Sequence, residues 1–263
     1  MANLNSALEI ASITHPGMVR SHNEDSIATA PEIGLAVLAD GMGGYSAGEV
    51  ASGIAVAMVT AEMKKALASD AASDLNSKTA EALIAQQSAR ANAAIYQAAQ
   101  TQPRYSGMGT TLVVSLWYDN QMTVGHIGDS RLYRMRGEKL EQVTRDHSLL
   151  QEQIDSGMIT KEMARYSQNK NLVTRAVGID PEVDAEVHSY PVQKGDIYLL
   201  CSDGLSDMVS DEDVQLTLSS LQANLPLAAQ QLVQQANDNG GRDNVSVILV
   251  RVIREFSERA GWR

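Results

Sequence analysis

One recurring pattern limits this chain more than any other: a short apolar run that stops at an aspartate. "LAVLADG" closes on Asp40, "YLLCSDG" on Asp203 and "VGHIGDS" on Asp129, while "GGRDNVSVILV" sets Asp243 immediately before such a run. Runs of this length, rich in Val, Ile and Leu and bounded by Gly or Asp, read as strands. Between antiparallel strands, the end of one and the start of its neighbour lie at the same sheet edge. Asp40, Asp129, Asp203 and Asp243 can therefore converge, and "NED" brings Glu24 and Asp25 to the same place from an early loop.

The rest of the chain fills in around these strands. "LEIASITHPG" and "IGLAVLAD" read as the first two strands. Val50, Ile54, Met58 and Ala61 then recur at helical spacing, as do Ala80, Leu83, Ile84, Ala91, Ala94, Ile95 and Ala98, so two long helices follow, separated by the polar "SDAASDLNS". "GTTLVVSLWYDNQMTVGHIGDSRLYRMRGEKLEQVT" reads as a β meander, with Asp119-Asn120 as a two-residue hairpin turn and "RGEK" as another. From Asp146 to about Val173 the chain is polar with weak helical signals and reads as a surface subdomain. "IYLLCS" is a buried strand, "SDEDVQL" a helix start capped by Ser210, "NLPLAAQQLVQQAND" a second helix, and "NVSVILVRVI" the last strand. Strands in clusters joined by hairpins, without regular βα alternation, give an α+β fold in which two packed antiparallel sheets flanked by helices suit the strand count. The order of the layers stays open at this level.

With 263 residues, 44% of them apolar, the chain can bury one large core, and no linker, repeat or low-complexity tract divides it; a single domain over 1–263 is expected. A net charge of −11 and the lack of a basic stripe argue against nucleic acid as a partner. "MANLNSALEI" has no basic n-region or long apolar core of a signal peptide, and "ASGIAVAMVTA" is too short to span a bilayer, so a cytoplasmic protein is expected. The single cysteine, Cys201, rules out an internal disulfide and a thiolate zinc cluster, and its apolar surroundings mark it as a buried thiol.

Converging carboxylates repel one another unless they are protonated or neutralised by a cation. Hard divalent ions take this ligand set, so the metal reading specifies Mg²⁺ or Mn²⁺ rather than Zn²⁺. Asp-Gly after a strand is also ordinary turn chemistry, and spacing alone leaves both readings open. A phosphate cradle in "GMGGYSAGE" fits less well, for it has neither the Gly-Lys-Ser/Thr of a P-loop nor the spacing of a dinucleotide fingerprint.

Taken in order, "VRSHNEDS", "LADGMGGYSAGEVAS", "GMGTTLVV", "VGHIGDSRLYR", "VTRDHS", "LLCSDGLSDMV" and "GRDNVSVILV" resemble the metal-dependent Ser/Thr protein phosphatases (the PPM family, type 2C) in their compact bacterial form, over nearly the whole chain. The resemblance implies a four-layer α-β-β-α sandwich with a binuclear metal centre at one edge of the sheets and a flap subdomain at about 148–172. It implies that Asp40 bridges two ions, that Gly41 contributes its carbonyl oxygen, and that Asp203 and Asp243 complete the first ion's shell. Glu24 and Asp25 would act through metal-bound waters, and Asp129 would hold a third, looser ion with Asp203. Arg20 matches the arginine that grips the substrate phosphate; by itself it reads equally as a surface arginine or an ion-pair partner of Glu24.

The implied activity is hydrolysis of phosphoserine and phosphothreonine monoesters by direct attack of a metal-bridging hydroxide, opposing a cognate bacterial Ser/Thr kinase, by a monomer. Alternatives are a catalytically silent phosphoprotein-binding module of the same fold and a small-molecule phosphomonoesterase. Many eukaryotic relatives carry His between the glycines of the "DGMGG" loop as general acid. Here the position is Met42, whose sulfur cannot donate a proton, and a water on the third ion near Asp129 is the expected substitute. His22, His126 and His147 read as structural.

Overall fold

The computed structural model describes residues 4–44, 47–68, 75–164, 167 and 172–256. The strands, in chain order, are β1 (Leu8–His15), β2 (Asp25–Ala30), β3 (Leu35–Met42), β4 (Gly109–Thr110), β5 (Leu112–Tyr118), β6 (Gln121–Ile127), β7 (Arg131–Arg136), β8 (Lys139–Gln142), β9 (Glu186–Pro191), β10 (Ile197–Cys201) and β11 (Val245–Val252). The helices are α1 (Ala47–Ala68), α2 (Ser77–Thr101), α3 (Leu149–Asp155), α4 (Lys161–Ala164), α5 (Asp203–Ser206), α6 (Asp211–Leu221) and α7 (Leu225–Asp238). One sheet runs β1-β11-β10-β7-β8; the other runs β2-β3-β5-β6-β9, with β4 paired to the end of β3. Every strand pair is antiparallel.

The layers follow from the alternation of side chains along each strand. In β3, Val37 and Ala39 face α1 and α2, packing with Ala51, Ala55, Val59, Ile84 and Ile95. Ala36 and Leu38 face the other way, into an inter-sheet core with Val113, Trp117, Leu132, Tyr198 and Ile248. Leu199, Val247 and Leu249 on the far face of the second sheet pack against Val214, Leu218, Ala229 and Leu232 of α6 and α7. Sheets covered on both faces need continuous apolar runs rather than apolar/polar alternation. That is why "LAVLA" and "VILV" read as they do, and the result is an α-β-β-α sandwich.

Local chemistry fixes the ends of these elements. Asn76 and Thr79 form a capping box on α2, Ser210 accepts from the Asp213 amide at 3.1 Å on α6, and Asn224 caps α7. Asp119 and Asn120 both have positive φ, 37° and 56°, the conformation that a two-residue hairpin between β5 and β6 requires.

Several expectations need correction. β3 continues to Met42, so Asp40 lies inside the strand rather than at its end, and Asp25 opens β2 rather than lying in a loop. β2 ("DSIATA") and β9 ("EVHSYP") carry too few large apolar residues to stand out, because β2 and β9 are the edges of their sheet. The meander is split: β5 and β6 belong to one sheet, β7 and β8 to the other, and the chain crosses between them at Gly128–Ser130, placing Asp129 at the seam. In the segment 148–172, α3 and α4 are described and residues 165–166 and 168–171 lie outside the described residues, as do 69–74 of the inter-helix stretch. Among the described residues no helix is long and apolar enough to cross a membrane.

Trp117 is fully buried between the sheets, edge-on to Tyr198 with ring centroids 5.5 Å apart. Trp117→Ala is expected to lower unfolding free energy by about 3–5 kcal/mol in a urea titration, through lost contacts and the cavity left behind. A loss below about 1 kcal/mol would contradict an inter-sheet core at this position.

Candidate active site

β2 and β3 set the first pair of carboxylates side by side, since Asp25 and Asp40 are directly opposed in the antiparallel register. The backbone of Asp40 is then clamped. Its N–H donates to Thr111 Oγ1 (3.0 Å), and its carbonyl accepts from the Thr111 N–H and from Thr110 Oγ1, both at 2.8 Å. Thr111 Oγ1 also meets Ser130 Oγ at 2.7 Å, which ties the Asp40 strand to the residue after Asp129.

The other carboxylates arrive by backbone contact that only glycine permits. A Cβ on Gly204 would stand 1.9 Å from the Asn244 carbonyl oxygen, so the turn carrying Asp203 lies directly against the turn carrying Asp243. A Cβ on Gly41 would meet the Gly48 carbonyl oxygen at 2.2 Å and the Glu24 carbonyl oxygen at 2.6 Å, so β3, the first turn of α1 and the Glu24 loop close on one another. The Gly41 N–H donates to the Glu24 carbonyl at 3.1 Å. These glycines serve close packing of backbone on backbone.

Asp25, Asp40, Asp129 and Asp203 all hold protons more tightly than an ordinary carboxylic acid. Burial is the largest cause for each, and repulsion follows: Asp40 feels Asp25, Asp203, Asp129 and Asp243, while Asp203 feels Asp129, Asp207 and Asp243. Asp25 is pushed up to about 6 by burial, against the opposing hydrogen bonds its Oδ2 accepts from Ser246 Oγ (2.6 Å) and Ser202 Oγ (2.8 Å). Asp129 is pushed up to about 6 by burial and by Asp146. Glu24, half-buried at the rim, is also raised by burial, with Arg20 opposing. Asp25 Oδ1 is buried and has no hydrogen-bond partner among the described residues. Acceptor oxygens gathered in this way, one of them unpartnered, fit hard divalent cations, which take carboxylate and carbonyl oxygens.

Arg20 is paired with Asp243 rather than Glu24: its Nη2 donates to Asp243 Oδ2 at 2.6 Å while the side chain stays about half exposed. A cleft of about 400 Å³ leads from Asp129, Asp203 and Asp207 to Ser148, Gln151 and Ile154 at the root of the 148–172 segment. Met42 pairs with Gly109 at the end of β3 and is half-buried. Cys201 is fully buried, and burial pushes its thiol up to about 12. His126 is buried and its Nε2–H donates to the Arg145 carbonyl (2.7 Å); His22 offers its backbone carbonyl to Asn244 at 2.8 Å.

Asn244 carries no signal in the sequence and is central to the loop. Its amide group donates to the Pro16 and His22 carbonyls and accepts from the Glu24 N–H at 2.8 Å, so one side chain shapes the whole 16–24 loop that carries Arg20 and Glu24. Ser202 and Ser246, which hold Asp25, are equally inconspicuous. A small hydroxyl residue beside each Asp-containing turn was the available signal.

Between about pH 4 and pH 6 the folded, metal-free chain retains protons on Asp25 and Asp129 that the unfolded chain has released, so these groups make stability fall as pH rises through that window. A cation that displaces those protons removes the repulsion. The rise in Tm on adding Mn²⁺ is therefore expected to be larger at about pH 7.5 than at about pH 5, measured by differential scanning fluorimetry. An equal or smaller rise at the higher pH would contradict this electrostatic picture.

Three comparisons with known proteins agree with this fold. Residues 19–241 match the family model described as protein phosphatase 2C. The chain is 35% identical over 240 residues to a serine/threonine phosphatase of Listeria monocytogenes, covering 90% of this chain and 93% of the relative. It is 35% identical over 261 residues to a protein phosphatase of Streptococcus pneumoniae, covering 95% and 100%. Its fold is similar to the crystal structure of a serine/threonine phosphatase from Staphylococcus aureus, with a TM-score of 0.86 and 32% identity over 94% of this chain and 96% of that one. It is likewise similar to the catalytic domain of the phosphatase PstP in complex with 2 manganese ions, with a TM-score of 0.82 and 36% identity over 94% and 99%. With the family model spanning residues 19–241 and relatives 35% identical over nearly its whole length, the chain belongs to the protein phosphatase 2C family.

Proposed function

We propose that this chain is a metal-dependent protein phosphatase that hydrolyses phosphoserine and phosphothreonine monoesters. The observation that carries the reading is the cluster of mutually repelling, buried carboxylates at the sheet edge, with an unpartnered Asp25 oxygen at its centre and a half-exposed arginine at its rim. Family membership and the similarity to a manganese-containing relative support the same conclusion.

Asp40, Gly41, Asp203 and Asp243 are the residues that would hold two Mn²⁺ or Mg²⁺ ions, with Glu24 and Asp25 acting through water and Asp129, with Asp203, on a third. When bound, such ions supply Lewis acidity that makes a water nucleophilic near neutral pH and draws charge off the phosphoryl oxygens. The chain's own residues do the rest. Thr110 and Thr111 fix Asp40 through its backbone, and Ser202 and Ser246 fix Asp25 through Oδ2, so neither carboxylate needs to reorganise during reaction. Arg20 has donors to spare beyond its bond to Asp243, and its exposed guanidinium can present paired N–H groups to the equatorial oxygens of a phosphomonoester.

A serine or threonine alkoxide needs a proton to leave. Met42 cannot give one, and the proton would come from the Asp129 side of the cleft, from a water that Asp129 and Asp203 help to hold. The same reading takes residues 1–263 as one phosphatase domain with a flap at about 148–172. It makes the protein a cytoplasmic monomer that opposes a cognate Ser/Thr kinase on phosphorylated proteins in signalling.

The test is turnover by the purified protein on an aryl phosphate and on a phosphothreonine peptide, with and without Mn²⁺. Asp203→Ala is expected to remove metal-dependent turnover on both substrates by about 100-fold or more. Asp129→Ala is expected to slow the peptide about tenfold more than the aryl phosphate, whose leaving group hardly needs protonation. Wild-type protein without metal-dependent turnover on either substrate would sink the proposal. Equal losses on both substrates in Asp129→Ala would refute the assigned proton route.

A further inference from the structure

One imidazole outside the carboxylate cluster joins two walls of the cleft. His147 is 3% exposed. Its backbone N–H donates to the Gly128 carbonyl at 2.9 Å and its carbonyl accepts from the Thr174 N–H at 2.8 Å. Its ring faces the same glycine: Nδ1 accepts from the Gly128 N–H at 3.2 Å, and Nε2 lies 3.3 Å from Glu186 Oε2. A backbone N–H can only donate, so Nδ1 must be the unprotonated nitrogen and Nε2–H the donor to Glu186. The other Glu186 oxygen meets His188 Nε2 at 3.1 Å.

His126 stacks on this ring with centroids 4.6 Å apart and planes 18° from parallel. Stacked rings hold their in-plane lone pairs in nearly parallel planes, and Nδ1 of His147 is already engaged. His126, His147 and Glu186 lie close together, but Nδ1 of His147 is taken by the Gly128 amide and Nε2 of His126 by the Arg145 carbonyl, so the three make a hydrogen-bonded His147–Glu186 pair with a stacked His126 rather than a chelate. Burial, with His126 alongside, lowers the proton affinity of His147, the direction that the Gly128 bond requires.

Both ends of this bond matter to the cleft. Gly128 precedes Asp129 and sits at φ 101°, where a Cβ would meet Thr111 Cγ2 at 2.7 Å, and Thr111 is the residue that clamps Asp40. On the other side, Ser148 bridges to Val173, the Leu149 N–H donates to the Leu172 carbonyl at 2.9 Å, and Ser148 caps α3, which lines the cleft.

We propose that His147 is a positioning residue: through the Nδ1 bond to the Gly128 amide it sets the orientation of Asp129 and couples it to the root of the 148–172 segment. The importance of Asp129 rests on the functional reading above; the bond itself does not.

The test compares His147→Asn, which places an amide oxygen where Nδ1 sits, with His147→Gln and His147→Ala, which do not. Hydrogen exchange of the Gly128 amide is followed by NMR in the full chain with Mg²⁺, and kcat on a phosphothreonine peptide is measured with Mn²⁺. Loss of the acceptor is expected to speed Gly128 exchange and lower kcat about tenfold in the Gln and Ala variants, with the Asn variant within about threefold of wild type on both readouts. If His147→Ala does not fold, the Asn and Gln variants decide the matter. Unchanged Gly128 exchange in His147→Gln, or an Asn variant as impaired as Gln, would overturn the proposal. A wild-type enzyme without metal-dependent turnover would fail the functional reading instead, and the exchange measurement would still decide the bond.

Discussion

Asp25, Asp40, Asp129 and Asp203 repel one another at the edge where the two sheets meet, and much of the surrounding structure exists to keep them there. Left alone, such groups would relax apart or hold protons, and burial makes both their repulsion and their proton affinity stronger. The chain resists relaxation by fixing backbones rather than side chains. Asp40 is held by Thr110 of β4 and by Thr111 between β4 and β5, Asp203 by the contact of Gly204 with Asn244, and Asp129 by a glycine at positive φ wedged against Thr111. The unfavourable charge arrangement is therefore offset by a sandwich whose three apolar layers lie away from it.

This explains why the site needs small residues so densely. Gly41, Gly48 and Gly204 let main chains pass within a contact that a single methyl would block, and Ser202 and Ser246 reach Asp25 because they are short. The Arg20–Asp243 pair balances one carboxylate of the cluster while leaving the guanidinium half exposed. Positive charge is thereby held at the rim of an acidic centre.

The apolar runs ending in Asp made the strands and their shared edge legible from the sequence, because antiparallel pairing leaves few other places for Asp203 and Asp243 to go. The long helices and the Asp119-Asn120 hairpin were legible for similar reasons, namely helical periodicity and a turn that tolerates positive φ. What periodicity does not carry stayed hidden. β2 and β9 are edge strands of mixed polarity, and the division of the meander between two sheets depends on packing rather than on the local sequence. The hydrogen bonds of Asn244, Ser202 and His147 join residues far apart in the chain, and no spacing rule marks them.

The claim on which the rest depends is that the carboxylates are assembled as a repelling, partly protonated cluster that divalent ions complete. Isothermal titration of metal-free protein with Mn²⁺ at about pH 6, repeated in buffers of different ionisation enthalpy, tests it most directly. Binding heat that varies with the buffer in the sense of net proton release is the predicted result. Heat independent of the buffer, meaning that Mn²⁺ binds without displacing protons, would contradict it.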